Sequence, residues 1–307
     1  MSKFNNWSLC CISKTLSDGG VNYRSMTFSN FQKLEKVVAM KKLCEIILHN
    51  FQTTLKTIQF CQQNDISGYR MSSNLCPLLT HKDFKLKISD LPNFDQLLEV
   101  FKDIKNAIKS KPIRISSHPS EYITLSTDND EILQSTIRDL EQHAEIFDLL
   151  ELPKDYQSPL NIHVRKEGDA SLVSDAVCKN FDKLSDSVKN RLVFENNDNK
   201  NGTWTIQNLH KHLHKKIGVP LTFDCLHYRM LSGGFPEDET FFLAASTWNT
   251  TPLFHYSEGI YENGVETRKH ADLPTGYPTI YSSDVYYDVE LKHKCQAIFQ
   301  LKKHEKE

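Results

Sequence analysis

The stretch Arg114-Ile115-Ser116-Ser117-His118-Pro119-Ser120-Glu121-Tyr122 decides the fold. Its first four residues are predicted to form a short buried strand that ends abruptly at His118. Pro119 lacks an amide hydrogen and cannot continue a central strand, and a polar loop with an aromatic residue follows at once. A strand that carries an imidazole at its C-terminal end and then turns is how α/β barrels build their active sites. The stretch therefore predicts one strand of such a barrel.

Strand and helix signals alternate along the rest of the chain. Short apolar segments, as expected for strands covered on both faces, alternate with segments of helical periodicity. The predicted helices cover 29–64, 94–110, 130–150, 170–187, 205–216 and 239–247, and the predicted strands cover 4–12, 69–73, 113–117, 160–164, 191–195, 219–224, 252–256 and 283–290. About eight such repeats predict an α/β fold, a single (β/α)8 TIM-type barrel domain that spans residues 1–307.

The composition is that of an ordinary enzyme-sized soluble protein. Hydrophobic residues make up 39% of the chain and charged residues 25%, which is enough for a sizeable core. The formal net charge of −2 provides no overall basic field that would attract nucleic acid. Any DNA binding must therefore come from a local cleft, with metal ions supplying positive charge.

Cysteine usage and the lack of apolar segments indicate the compartment. The eight cysteines form no CxxC pair, and in a chain of this length they are expected to be reduced thiols. Residues 1–6 lack the apolar region of a signal peptide, and no apolar run reaches the length of a membrane span. We expect an intracellular soluble monomer, cytoplasmic or nuclear, that does not bind membranes.

Nitrogen and oxygen donors stand at or just after the end of almost every predicted strand. Any one histidine is more often structural than a ligand, but a carboxylate such as Glu195 or Asp224 at the end of an apolar strand is costly without a partner. A metal ion is a natural partner for it. The donors at these ends are His81, His118, His163, Glu195, Asp224, His227, His255, His270 and Glu290.

This donor set predicts the kind of metal centre. Mixed imidazole and carboxylate ligands suit manganese, zinc or iron, whereas magnesium and calcium sites are dominated by oxygen ligands. The donors exceed one coordination sphere, so two or three divalent ions are expected. Clustered divalent ions serve in-line displacement at phosphorus, where one activates water and another stabilises the leaving oxygen.

Several short motifs, taken together and in this order, resemble the UV damage endonucleases, the metal-dependent barrel nucleases that start alternative excision repair. The resemblance covers essentially the whole chain. The motifs are Tyr69-Arg70-Met71-Ser72-Ser73, Pro77-Leu78-Leu79-Thr80-His81, Ser117-His118-Pro119 with Tyr122, Asn161-Ile162-His163, Phe194-Glu195-Asn196, Phe223-Asp224 with His227, His255-Tyr256-Ser257, Arg268-Lys269-His270-Ala271-Asp272 and Glu290-Leu291-Lys292.

The resemblance implies an activity and a ligand set. Family members nick damaged double-stranded DNA immediately 5′ to a pyrimidine dimer or similar distortion, leaving a 3′-hydroxyl and a 5′-phosphate. It implies a cluster of two or three divalent ions, Mn²⁺ first and Zn²⁺ or another divalent ion as alternatives. The matching ligands are His81, His118, His163, Glu195, Asp224, His227, His255, His270 and Glu290, and we expect the catalytic roles to fall to Glu195, Asp224, His255 and Glu290.

The resemblance also implies a lesion-binding set. Family members insert a Gln-Tyr pair into the DNA from the loop that follows the strand of His118, a wedge that exploits weakly stacked DNA. Tyr122 keeps its place here, but Glu121 stands at the Gln position. Asn6 matches an early polar residue that lines the lesion site.

The chain departs from the family pattern at two places. Some relatives carry a lysine, modified to a carboxylated metal ligand, two residues before the histidine that matches His255. Leu253 stands there in this chain, so we expect a water or a shifted carboxylate instead. Arg165 and Lys166 replace the usual glycines after His163, either as phosphate contacts or as a solvated basic turn.

Three other functions remain open from the sequence. A sugar isomerase on a related barrel also uses histidine and carboxylate at strand ends, but it needs a compact polar pocket. An apurinic-site endonuclease would share the metals and the attack at phosphorus. Loss of the lysine at Leu253 also allows a protein that binds lesions without hydrolysis.

Overall fold

The structure, a computed structural model, describes residues 4–304 and contains a nearly closed barrel of eight parallel strands. Met1–Lys3, on which part of the expectation about a signal peptide was made, lie outside the described residues. The barrel strands are β1 (Trp7–Cys10), β2 (Gly68–Met71), β3 (Arg114–Ser117), β4 (Leu160–His163), β5 (Leu192–Glu195), β6 (Leu221–Thr222), β7 (Leu253–Tyr256) and β10 (Tyr286–Val289). The predicted (β/α) barrel is confirmed.

The strands run in the order β6-β5-β4-β3-β2-β1-β10-β7 and every neighbouring pair is parallel. A single parallel bridge between Asp224 and His255 joins the two ends of this order. The predicted strand 219–224 is shorter than expected, since only Leu221–Thr222 pair as a strand. Asp224 and His255 are therefore brought together at the seam where the barrel closes.

Helices pack around the outside of the strands and supply most of the connections. Many begin at a side-chain cap that accepts a hydrogen bond from a backbone amide of the first turn, as at Asn129, Asp169 and Thr205. The helices are α1 (Lys14–Asp18), α2 (Phe28–Gln32), α3 (Lys36–Gln63), α4 (Phe94–Ser110), α5 (Asp130–Leu149), α6 (Ala170–Phe181), α7 (Asp186–Lys189), α8 (Ile206–Leu209), α9 (Lys215–Ile217), α10 (Cys225–Met230), α11 (Glu237–Ala245) and α12 (Cys295–His304), with a 3₁₀ turn at Ile88–Asp90 and a π-turn at His210–His214 between α8 and α9.

The first predicted helix, 29–64, is wrong in one respect, because it is two helices. Phe28–Gln32 ends before Lys36–Gln63 begins, and the Glu35 carboxylate accepts a hydrogen bond from the Val38 amide at 3.3 Å. A new helix therefore starts at this cap, although the apolar periodicity continues across the break.

A two-stranded antiparallel hairpin follows β7 and was not predicted. It consists of β8 (Gly259–Glu262) and β9 (Val265–His270), joined by Asn263 and Gly264 with φ of 53° and 79°. Positive φ at both positions of an Asn-Gly loop is typical of a type I′ turn. The hairpin carries His270, which was expected in a loop, at the end of β9.

Within residues 4–304, the helices include none that combines the length and the apolar character needed to cross a lipid bilayer.

Candidate metal centre

Glu195, the last residue of β5, lies at the centre of the site. Its side chain is 1% exposed and the amide of Asn161 donates a hydrogen bond to it. The Glu195 oxygens lie 3.3 Å from His118 Nε2, 3.7 Å from His163 Nε2, 3.1 Å from His227 Nδ1 and 3.1 Å from His255 Nδ1. Four imidazoles, three at or near strand ends and one from helix α10, therefore converge on one buried carboxylate.

Two further carboxylates extend the site across the seam of the barrel. His255 Nδ1 lies 3.9 Å from Asp224 Oδ2 and 3.4 Å from Glu290 Oε1. Two groups of three donors have ligand atoms within 4.8 Å of one another, namely His118 with His163 and Glu195, and Glu195 with Asp224 and His255. Because Glu195 belongs to both groups, its carboxylate could hold a metal ion with either set of partners.

The buried atoms of the second group fit a divalent ion. Asp224 Oδ2 and both ring nitrogens of His255 are buried and make no hydrogen bond with the described residues. Buried polar atoms in native proteins are nearly always paired, so such atoms facing one another call for a partner. Mixed nitrogen and oxygen donors are ligands for manganese, zinc or iron.

The electrostatics of the cluster also favour a cation. Burial lowers the pKa of His163 to about 4, against the opposing effect of Glu195, so this imidazole is neutral and offers a lone pair. Burial would lower the pKa of His255 too, but the Glu195 and Glu290 carboxylates outweigh it and raise that pKa to about 9. Burial raises the pKa of the Asp224 carboxyl. Carboxylates thus dominate around His255, and a metal ion would replace a proton there.

Neighbouring groups orient the histidines. His118 Nδ1 lies 3.0 Å from the Pro119 carbonyl oxygen, and His163 Nδ1 lies 3.1 Å from Asn197 Oδ1. Both rings therefore direct Nε2 towards Glu195. A histidine whose other nitrogen is held by a neutral acceptor is the usual arrangement of a metal ligand.

The structure brings together most of the predicted ligands. His227 belongs to the group around Glu195, and its backbone amide donates to Asp224 Oδ1 at 2.7 Å, so that Asp224 also caps α10. His270 lies beside Glu290, with Nδ1 2.9 Å from its carbonyl oxygen and Nε2 3.8 Å from Oε2. The eight that converge are His118, His163, Glu195, Asp224, His227, His255, His270 and Glu290.

His81 and Asn6 make no described contact with the cluster. His81 lies in the turn region after β2, where its ring stacks on Phe28 and Nδ1 is 3.3 Å from the Asp83 amide nitrogen. None of its described contacts is with another predicted ligand. Asn6 immediately precedes β1, at the opposite end of the strands from the metal cluster, and its amide donates to the Ser283 carbonyl at 3.0 Å. It does not join the predicted lesion site.

A cavity of about 430 Å³ lies at the mouth of the barrel, directly above the histidines. Tyr122 directly follows the lining residue Glu121 in sequence and has 78% of its surface exposed. Lys166 does not line the cavity and instead pairs with Asp128 at 2.7 Å on the surface. The lining residues are His118, Glu121, His163, Arg165, Glu167, Asn197, Asp198, Asn199, His227 and Arg268.

Two buried charged residues beside the cluster, Arg70 and Asp288, were not predicted as site residues. The Arg70 guanidinium donates a hydrogen bond to Glu290 and lies 3.8 Å from Asp288 Oδ2. Asp288 stands two residues before Glu290, so the period-two alternation of a strand puts both side chains on the inner face of the barrel. That alternation was the available signal. Leu253, which stands where the family pattern described above has a modified lysine, is buried.

The chain is similar to known proteins over nearly its full length. The family model described as UV-endonuclease UvdE matches residues 6–307. A UV DNA damage endonuclease from Nostoc sp. is 35% identical over 293 residues, covering 93% of this chain and 86% of that protein. One from Deinococcus radiodurans is 28% identical over 295 residues, covering 92% and 90%.

Among solved structures, SacUVDE has the same fold, with a TM-score of 0.81 at 23% identity over 97% of this chain and 96% of that one. A 3-keto-D-glucoside 4-epimerase from E. coli is more distant, with a TM-score of 0.51 at 10% identity over 81% of this chain and 91% of that one. The epimerase shares the general fold alone, so it does not support an isomerase. Because the family model matches residues 6–307 and the Nostoc relative is 35% identical, this chain belongs to the UV-endonuclease UvdE family.

Proposed function

We propose that this chain is a metal-dependent DNA endonuclease that hydrolyses the phosphodiester bond immediately 5′ to pyrimidine dimers and other helix-distorting lesions. The observation that carries the proposal is the convergence of four imidazoles on the buried carboxylate of Glu195, under a cleft beside an exposed aromatic residue. We further propose that residues 1–307 act as one domain and as a monomer.

The candidate ligands would bind two divalent ions. His118, His163 and Glu195 would hold one divalent ion, and Glu195, Asp224 and His255 a second, with Mn²⁺ the first choice and Zn²⁺ an alternative. Such ions supply an activated hydroxide and charge stabilisation for the leaving oxygen. Glu290, which accepts a hydrogen bond from Arg70, would provide a further ligand for the second ion. Glu195, Asp224, His255 and Glu290 are thus the proposed catalytic residues.

The cleft would hold the phosphate against this cluster. Arg165 and Arg268 line its wall and would contact phosphate, while the metal ions would offset the carboxylates of Glu121, Glu167 and Asp198 that line the same cavity. Water would attack phosphorus and the bond to the 3′-oxygen would break, leaving a 3′-hydroxyl, which receives a proton, and a 5′-phosphate. The cleft opens at the barrel mouth, as a polymeric substrate needs.

The proposal is tested with supercoiled plasmid, irradiated or left undamaged, in the presence of Mn²⁺. Conversion of the irradiated plasmid to the nicked form, with the undamaged plasmid left supercoiled, would support it. Equal nicking of both plasmids, or of neither, would contradict it. Omitting the ion and adding a chelator should abolish nicking, because the divalent ions would supply the activation of water and the charge stabilisation that hydrolysis needs.

An apurinic-site endonuclease would share this metal chemistry, so substrate choice has to separate the two functions. The family match favours UV lesions over this alternative and over a sugar isomerase. A lesion-binding protein without hydrolysis is disfavoured by the four imidazoles that converge on Glu195.

Substitution of Tyr122 should weaken recognition of damage without affecting the metal centre. The side chain is exposed beside the cleft, where it is positioned to stack in a gap in the duplex. Stacking of one aromatic ring on a base contributes about 1–3 kcal/mol, so Tyr122→Ala should lower affinity for a dimer-containing duplex by about 5- to 150-fold. Fluorescence anisotropy would measure this.

The matched control for Tyr122 is Phe242→Ala, which removes a half-exposed aromatic ring from the outer helix α11. Its affinity for the same duplex should be that of the wild type. Equal affinities of Tyr122→Ala and wild type for the damaged duplex would rule out the wedge.

Glu121 lines the same cleft and brings a negative charge towards the DNA. Removing one like charge near a phosphate at an exposed site relieves about 1 kcal/mol, so Glu121→Gln should leave metal binding intact and tighten binding to damaged duplex up to about fivefold. Glu131→Gln, an exposed acid at the start of α5, is the control of equal charge change. Clear loss of lesion binding in Glu121→Gln alone would show that this carboxylate has its own role.

A further inference from the structure

Asp288 is a buried carboxylate that the proposed chemistry does not use. Its side chain is 0% exposed, and both of its oxygens make no hydrogen bond with residues 4–304. Two nitrogen atoms that can carry positive charge lie near Asp288 Oδ2. His255 Nε2 is 3.7 Å away and Arg70 Nη1 is 3.8 Å away. A carboxylate buried in this way is costly unless it has a function that needs it.

The two nitrogens of His255 face different surroundings. Nδ1 faces the carboxylates of the metal cluster, with Glu195 Oε2 at 3.1 Å and Glu290 Oε1 at 3.4 Å. Nε2 faces away from them, towards Asp288. One imidazole thus lies between the metal cluster on one side and a single carboxylate on the other.

Backbone pairing fixes this juxtaposition. In the parallel ladder between β10 and β7, Asp288 is the register partner of His255. Arg70, on β2, holds Glu290 by a hydrogen bond and places its guanidinium beside Asp288, which compensates the carboxylate's charge. The arrangement therefore depends on regular strands and not on a mobile loop.

We propose that Asp288 is a positioning residue: it accepts a hydrogen bond from His255 Nε2–H and so presents Nδ1 of that ring to a divalent ion. The inference rests on the metal centre of the proposed function. An imidazole binds a metal through one nitrogen only when the proton is on the other, and a carboxylate behind the ring fixes that arrangement. The distance of 3.7 Å from Nε2 to Asp288 Oδ2 exceeds a hydrogen-bond distance, so the proposal requires the two side chains to approach each other when the ion binds.

A hydrogen bond between Asp288 and His255 would also reduce the free-energy cost of burying both polar groups. Both Asp288 oxygens and both His255 nitrogens are buried and make no hydrogen bond with the described residues, although charged groups lie nearby. A hydrogen bond from His255 Nε2 to Asp288 Oδ2, with a metal ion at Nδ1, would give a partner to both ring nitrogens and to one of the two carboxylate oxygens. The alternative, in which Asp288 itself binds the ion, requires its oxygens to reach past the His255 ring.

The test is calorimetric titration of the full-length, metal-free protein with Mn²⁺, comparing wild type, Asp288→Asn and the exposed control Asp284→Asn. Loss of a carboxylate behind a ligating histidine weakens metal binding about 10- to 100-fold. We expect that loss for one ion in Asp288→Asn, with the number of ions bound at saturation unchanged and Asp284→Asn equal to wild type. Unchanged affinity in Asp288→Asn, or one ion fewer at saturation, would overturn the positioning role.

A spectroscopic measurement on the wild type covers the case in which Asp288→Asn does not fold. In Zn²⁺-loaded protein with ¹⁵N-labelled histidine, His255 should show a protonated Nε2 and a metal-bound Nδ1, and the opposite tautomer would refute the inference. Wild type that binds no divalent ion would refute the proposed function as well. Wild type that binds Mn²⁺ but does not nick irradiated plasmid would refute the proposed nuclease activity alone.

Discussion

Glu195→Gln is expected to lower nicking of irradiated DNA by about 1000-fold or more. The glutamate is the carboxylate shared by both groups of candidate ligands, and it is the one that four imidazoles approach. An amide has only one acceptor oxygen and no negative charge, so it cannot bridge two cations. Loss of charge stabilisation worth about 4 kcal/mol corresponds to three powers of ten in rate.

The measurement is the single-turnover rate of strand cleavage at saturating protein, together with Mn²⁺ binding to each protein. Asp175→Asn serves as the control, because Asp175 is an exposed carboxylate that pairs with Lys216 on the surface. Its rate should equal that of the wild type. A Glu195→Gln protein that remains folded and cleaves within tenfold of the wild-type rate would contradict the assignment of Glu195.

Arg191→Met is expected to destabilise the fold by about 3–5 kcal/mol, because it leaves the carbonyl groups of Leu152 and Pro153 without their donor and removes the buried cation beside Asp148. The Arg191 side chain is 0% exposed at the start of β5. Its guanidinium donates to Asp148 Oδ1 at 2.8 Å and to the carbonyls of Pro153 and Leu152 at 2.9 and 3.0 Å. This residue lies at the end of the barrel away from the metal cluster, so its role is stability.

Chemical denaturation measures this difference, with Lys216→Met as the control. Lys216 forms a surface pair with Asp175 at 2.7 Å, and such pairs contribute about 0–1 kcal/mol. A loss below about 1 kcal/mol in Arg191→Met would contradict the prediction.

The effect of Arg191→Met should also depend on pH. Burial raises the pKa of the Asp148 carboxyl, but hydrogen bonds from Lys154, Arg191 and Ser187 outweigh it, and the net pKa is below the ordinary value. A lowered pKa stabilises the folded state above the unfolded-state pKa of about 3.9 and loses that contribution as pH falls through the folded-state pKa. The difference in the free energy of unfolding between wild type and Arg191→Met should therefore become smaller at acidic pH.

The barrel could be predicted from sequence because its strands are buried on both faces. Segments such as Leu160–His163 and Leu192–Glu195 are short and apolar, and helical periodicity separates them. The hairpin Gly259–His270 was missed because its strands are exposed and charged and lack that apolar signal. Its Asn263-Gly264 turn was the readable sign. The break before Lys36 was missed because a cap residue, not a change in periodicity, starts the new helix.

The candidate site could be predicted to the extent that strand ends determine it. Residues that end strands or follow them directly, such as His118, His163 and His255, converge because parallel strands bring their C-terminal ends to one face. His81 lies ten residues beyond β2, so the strand does not fix its direction. Asn6 precedes its strand and therefore lies at the other end. Asp288 could be located only by counting the strand alternation back from Glu290.

The central claim is that a divalent metal cluster at Glu195 cuts DNA at a UV lesion. The measurement that tests it most directly maps the cleavage products of two end-labelled duplexes of one sequence with Mn²⁺ and the wild-type protein. One duplex carries a single pyrimidine dimer and the other a single abasic site. We predict one cut immediately 5′ to the dimer, leaving a 3′-hydroxyl, with faster cleavage of this duplex than of the abasic one. Cleavage of the abasic duplex alone, or an intact dimer strand, would contradict the account.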